Sequence, residues 1–313
     1  MIDIARRSIA LGTAITAVLV LTAPMAGATE VDDVLERARS ATYTATRLTV
    51  SEWGDQTNVT RERVEHAAGA EMVRVDETWS MVGNGRTVVM GDAPEGIAFM
   101  TKGASVSTER YALGEEAPCR HLRRQCSFIA ITEGDRTRAK VLVDTRTGAP
   151  LITYVYDGDG RTYRTISLSD FSPHRTYEWG TDPKTVPVEI VMHDESYTVP
   201  DAVYGYQIVD VFPGPASSEQ GYYSDGLFSF SLFAMPLSTK VEGFEEPSTL
   251  VTEAGAYDVL TTARDVRVHW SSAEYHYVLV GDLPPDHLES VLAELPHPDR
   301  AGVLARLWRA LFG

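Results

Sequence analysis

Cys119, His121 and Cys126 are the residues whose types and spacing come nearest to reactive chemistry. Two thiols and an imidazole in one short segment can act in two ways: they can ligate a metal ion, or the thiols can be oxidised to a disulfide that closes a small loop. A closed tetrahedral metal site needs four ligands, and the segment "CRHLRRQC" supplies three. In an oxidising compartment the disulfide is the expected outcome, stabilising by about 2 kcal/mol because the loop it closes is small. Zinc remains the alternative. A second candidate, Asp157-Gly158-Asp159-Gly160, holds a fragment of a calcium loop but has no glutamate at the required later spacing, so it reads as a hairpin turn. Asn58-Val59-Thr60 matches a glycosylation acceptor, a triplet too common to carry weight. Nucleophile elbows, Cys-x-x-Cys pairs, His-Glu-x-x-His, glycine-rich phosphate loops and the dinucleotide fingerprint are absent from the sequence. The carboxylates are abundant and do not single out a catalytic pair without geometry. No catalytic residue, metal ligand set or cofactor is therefore assigned, and a binding protein is expected rather than an enzyme.

The most definite non-catalytic segment is "YYSDGLFSFSLF", Tyr222 to Phe233. Phe228, Phe230 and Leu232 fall on one face of an extended chain and Ser229 and Ser231 on the other, the pattern of a half-buried strand. Ser224-Asp225-Gly226 supplies a tight reversal ahead of it. Phe228 and Phe230 are expected to build core. Tyr222, Tyr223, Ser224, Asp225 and Gly226 are left as candidate surface contacts for a partner.

The elements around these residues belong to an exported chain. Residues 1–28 read as a signal peptide: Arg6 and Arg7, the apolar run "SIALGTAITAVLVL", then Ala26-Gly27-Ala28 before a cut at Thr29. An uncleaved anchor is the competing reading. No cysteine follows the run, so a lipid anchor at the cleavage site is excluded. The expected location is periplasmic or otherwise exported, with the mature chain in solution. The formal charge of −16 argues against nucleic acid, which such a chain would repel unless a local basic patch overrode its field. Two segments could do so: "CRHLRRQC" and the last helix.

After the leader, Val31, Val34, Leu35 and Ala38 mark one side of a short amphipathic helix. From Thr42 to about Phe171, strand-like runs alternate with turn residues at "WGD" (53), "VGNGRTVVMGD" (82), "TGAP" (147) and "DGDG" (157). The fold class expected is α+β: a curved antiparallel sheet wrapped on a helix over 29–180, a linker over 181–198, and a smaller α+β domain over 199–295 that closes with a helix from Pro285. Trp53, Trp79 and Phe99 are expected to pack in the core. Residues 296–313 form a tail in which Val303, Leu304, Leu307, Trp308, Leu311 and Phe312 make one apolar stripe, read either as packing on the protein or on a second copy of it, or as lying on an anionic membrane.

Tyr223 to Leu227, Val278 to Asp282 and Leu283 to Pro285 with the helix after them resemble, in order and in type, the C-terminal domain of the MucB/RseB family of sigma-E regulatory proteins. The segment "VLVDTRTGAPLITYVYDGDG" from 141 is similar to a strand–turn–strand of the lipoprotein-carrier fold to which that family's large domain belongs. The resemblance spans about Val31 to Leu295. It implies a protein that binds the periplasmic segment of a membrane-spanning anti-sigma factor, protects it from proteolysis and responds to an acyl-chain or lipid ligand. The Cys119/Cys126 loop and the chain beyond Leu295 depart from the family's pattern. A lipid or lipoprotein carrier without an anti-sigma partner is the alternative, and a hydrolase with an unmarked carboxylate site is a third.

Overall fold

A computed structural model describes residues 28–67, 70–75, 78–83, 86–91, 109–174, 198–214 and 217–298. The proposed leader up to residue 27, nearly all of the linker, Phe99, the Trp79 side chain and the tail residues Val303, Leu304, Leu307, Trp308, Leu311 and Phe312 lie outside the described residues.

The chain opens with α1 (Ala28–Ser40), which buries Val31 and Val34 and carries Arg37 and Arg39 in its last turn, where cations complement the helix dipole. Ten antiparallel strands follow: β1 (Tyr43–Trp53), β2 (Gln56–Ala67), β3 (Ala70–Val75), β4 (Thr78–Gly83), β5 (Arg86–Gly91), β6 (Ala112–His121), β7 (Arg124–Glu133), β8 (Arg136–Asp144), β9 (Pro150–Tyr156) and β10 (Thr162–Pro173). They form one sheet in the order β5-β4-β3-β2-β1-β10-β9-β8-β7-β6. Turn chemistry sets the hairpins. Gly54 at φ 57° reverses the chain between β1 and β2, and the Asp157 carboxylate accepts the N–H groups of Asp159 and Arg161 between β9 and β10. The "DGDG" segment is thus a hairpin turn, as its spacing predicts. Gly148, at φ 77°, sits so close to α1 that a Cβ there would meet the Arg37 carbonyl oxygen at 2.8 Å, which ties the helix to the β8–β9 turn.

The second sheet has eight strands: β11 (Ala202–Val203), β12 (Tyr206–Pro213), β13 (Glu219–Ser224), β14 (Ser229–Pro236), β15 (Ser248–Thr252), β16 (Gly255–Thr261), β17 (Val266–Ser271) and β18 (Tyr275–Gly281). Their order is β11-β12-β13-β14-β18-β17-β16-β15, all antiparallel. α2 (Pro285–Glu294) starts with Pro285 as its first helical residue, where the missing N–H is not needed, and buries His287, Leu288, Val291 and Leu292. Both sheets contribute to one apolar cluster, from Val31, Ile131 and Val141 through Phe230 and Leu232 to Trp270, Leu283 and Leu288. Trp53 packs against it, partly buried.

β14 follows the expected alternation with one correction. Ser231 stands on the face expected to be wet, yet it is buried, because the Gln220 amide of neighbouring β13 reaches across and donates to its hydroxyl at 3.0 Å.

Candidate functional site

The residues with the most concentrated polar chemistry lie where the two sheets meet. Asp225 is the first. Its Oδ1 accepts the N–H groups of Leu227 (3.1 Å) and Phe228 (2.8 Å), closing the turn that Gly226 makes at φ 90°. Its Oδ2 accepts the Tyr111 hydroxyl of the first sheet at 2.5 Å, with Arg110 Nη1 at 3.8 Å. Burial, then the Asp225 charge, pushes the Tyr111 hydroxyl far above its ordinary range.

This placement corrects the sequence reading of the turn as a contact surface. Asp225 is 2% exposed and Tyr223 0%, so neither presents itself to a partner. Tyr223 stacks on Phe230 (centroids 4.7 Å apart) and donates to the Pro200 carbonyl at 2.5 Å, because a large ring with one polar tip is stable inside when the tip finds an acceptor. Tyr222, Ser224 and Gly226 keep partial exposure.

α2 supplies the second group. His287, wholly buried, sits between Tyr206 (Oη to Nδ1, 2.6 Å) and Glu133 (Oε2 to Nε2, 3.1 Å), with Arg110 Nη2 at 3.3 Å from Nε2. Tyr206 donating to Nδ1 and Nε2–H donating to Glu133 satisfies both ring nitrogens. Glu133 also pairs with Arg110 Nε and with Arg138 Nε (2.6 Å), and Arg138 Nη2 reaches Asp286 Oδ2 at 2.7 Å. Burial alone would raise the Glu133 carboxyl; the bonds from His287, Arg110 and Arg138 outweigh it and hold the group well below the usual carboxylate range. Asp286 Oδ1 in turn accepts the Gly158 N–H at 3.0 Å, so the β9–β10 turn is fastened to the start of α2.

Further contacts cross the seam. The Asp282 carbonyl accepts the Tyr163 hydroxyl at 2.6 Å and Arg164 Nη1 at 3.4 Å, while its carboxylate accepts the Ser229 N–H at 2.7 Å. Burial raises the Asp282 carboxyl. Buried Glu62 is held by Arg47 (2.9 Å) from its own sheet and by Arg264 from the other, beside Ser51 Oγ donating to the Thr262 carbonyl at 2.9 Å.

These groups are spent on one another. The carboxylates of Asp225, Glu133, Asp286 and Glu62 face guanidinium, imidazole or hydroxyl partners, which makes a clasp between the two sheets. Among the described residues no group of three or more His, Cys, Asp or Glu is placed to hold a metal ion. Beside the seam, Thr198, Val199 and Pro200 face Glu294, Leu295, Pro296 and His297 across an open cleft of about 540 Å³. Cys119 and Cys126 stand opposite each other on β6 and β7 and are joined by a disulfide, Cα to Cα 4.8 Å. No helix among the described residues is long and apolar enough to cross a membrane.

The seam residues Arg110, Glu133, Arg138, His287 and Asp286 escaped the sequence reading, since each looks like an ordinary surface charge and their partners are far away along the chain. One signal was available: His287 adjoins Leu288 on the face that Val291 and Leu292 continue, so it had to be a buried histidine.

Fold and seam together define a class: an α+β protein of two antiparallel sheets, clasped by buried ion pairs, with a helix packed beside each. No protein-family model matches the chain, and no curated protein matches it. Among solved structures it is similar to a chain of the complex of Pseudomonas aeruginosa MucA/MucB, at 17% identity over 84% of this chain and 96% of that one, with a TM-score of 0.48. It is similar also to MucB alone (16% identity, 86% and 98% covered, TM-score 0.47). A LolA superfamily protein from Nitrosomonas europaea matches 47% of this chain over 94% of its own length, at 10% identity and a TM-score of 0.21.

Proposed function

We propose that this chain is an exported regulatory binding protein of the MucB/RseB kind, which holds the periplasmic segment of a membrane-spanning anti-sigma factor and shields it from proteolysis until a lipid-like ligand loosens the hold. One observation carries the reading. The three motifs that resemble that family all reach the seam: Tyr223 to Leu227 contains Asp225, Val278 to Asp282 ends on the residue that holds Tyr163, and Leu283 to Pro285 launches the helix that bears Asp286 and His287. A chance likeness in sequence has no reason to put all three on one interface.

In this reading residues 29–180 are the large domain and 199–295 the small one, joined by 181–198. Tyr222, Ser224 and Gly226 remain for partner contact. An acyl chain would take the place against the first sheet that Val31 and Val34 of α1 hold, at about 0.8 kcal/mol per buried methylene. Calorimetry with the purified mature chain and the anti-sigma factor's periplasmic segment tests the proposal. Binding with Kd near 1 μM, about 8 kcal/mol, is expected. No heat and no protection from proteolysis at tens of micromolar would sink it, and displacement of a fluorescent fatty acid in that case would favour the carrier.

A further inference from the structure

The tip of the β6–β7 hairpin is a surface that the function just proposed does not use. His121 pairs with Arg124, so Leu122 and Arg123 alone make the turn, at φ 48° and 61°. A two-residue turn with both residues at positive φ favours Asn-Gly, since other side chains are strained there. This chain places a leucine and an arginine in it instead, and the Cys119–Cys126 disulfide staples the strands just behind. Leu122 is 51% exposed at the apex. Arg120 and Arg123 flank it in solvent, and Arg146 is brought alongside by the bond from Thr145 N–H to the Gln125 carbonyl (3.2 Å). None of these three arginines has a carboxylate partner among the described residues. Arg124 is set differently: paired with buried Asp144 and stacked 5.0 Å over Phe171, it anchors the base of the tip.

We propose that this stapled tip docks on an anionic lipid surface, Leu122 entering the interface while Arg120, Arg123 and Arg146 meet phosphate groups. The protein carries a formal charge of −16, and a bilayer of the same sign repels it at long range. Repulsion is screened beyond about 8 Å at physiological ionic strength, so a basic point that projects from the sheet acts alone once it is close. The geometry favours a lipid over an acidic peptide. An exposed apex with an apolar point and basic flanks has no groove in which peptide side chains could be seated, and a bilayer needs none.

Flotation of the full chain with phosphatidylcholine vesicles, with and without phosphatidylglycerol, tests this without any protein partner, so its outcome is separate from that of anti-sigma binding. Binding is expected to anionic vesicles alone and to weaken with salt. Arg120→Ser with Arg123→Ser should weaken it about thirtyfold, at about 1 kcal/mol per arginine. Leu122→Asn, which suits the positive φ, should weaken it about fivefold with an unchanged or raised melting temperature. Undiminished vesicle binding by the double variant, with its tail intact, would overturn the proposal. So would a wild-type chain that ignores vesicles but binds an acidic peptide through the same arginines.

Discussion

At the seam end of the ten-stranded sheet, Arg138 is 2% exposed and bonded to two carboxylates, and Glu133 receives bonds from three partners. At the opposite end Arg120, Arg123 and Arg146 stand in water, with no carboxylate partner among the described residues. The same residue types thus serve two ends. A buried charge is tolerable when an opposite charge pairs with it, and once paired it makes the two sheets interdependent. An exposed charge adds little to stability and stays free for something else.

The contrast can be broken most directly at Glu133. Glu133→Ala leaves Arg110, Arg138 and His287 without their shared acceptor, and should cost about 3–5 kcal/mol in urea unfolding. A loss below about 1 kcal/mol would mean that the seam is an ordinary surface. Acid acts on the same group. The folded carboxyl of Glu133 is held below its unfolded value, so its contribution is present above the ordinary glutamate range, near ~4.3, and fades as pH falls through and below it. The wild type should therefore lose more stability on acidification than Glu133→Gln. Asp282, raised by burial, works the other way: its contribution is complete below the ordinary aspartate range and fades as pH rises. Tyr111→Phe should cost about 1–3 kcal/mol by leaving Asp225 Oδ2 without its hydroxyl donor. Serine at both Cys119 and Cys126 should cost about 2 kcal/mol, and the intact mass of the wild type should lie two hydrogens below that of its reduced chain. Smallest of all, Arg120→Ser should shift stability by less than about 0.5 kcal/mol. A larger loss would show the tip to be part of the folded core.

Periodicity and turn chemistry made the strands, the hairpin turns and the start of α2 readable, because each is set by residues a few positions apart. Phe228, Phe230 and Leu232 alternate as expected for the same reason. The seam was not readable. Tyr111 and Asp225, or Glu133 and His287, meet only after both sheets have formed, and nothing local distinguishes Glu133 from the exposed glutamates around it. Asp225 misled for a related reason. Ser-Asp-Gly is turn chemistry, and turns usually face water; this one is covered because the other sheet supplies a hydroxyl to its carboxylate.

The strand order of the first sheet bears on how the chain reaches this state. β1 to β5 and β6 to β10 are two meanders, each built from neighbours in sequence, and among the described residues their strands pair through β1 and β10, where Tyr43 pairs with Pro173. Each meander can zip up early and quickly, whereas the central pairing must wait for the loop of greatest entropy to close. Until then two strands that end in the middle of the sheet are open edges, as able to capture a neighbouring chain as each other. Synthesis delivers the amino-terminal meander first, so the interval before β10 arrives is when the open edges of the chain are most exposed to capture.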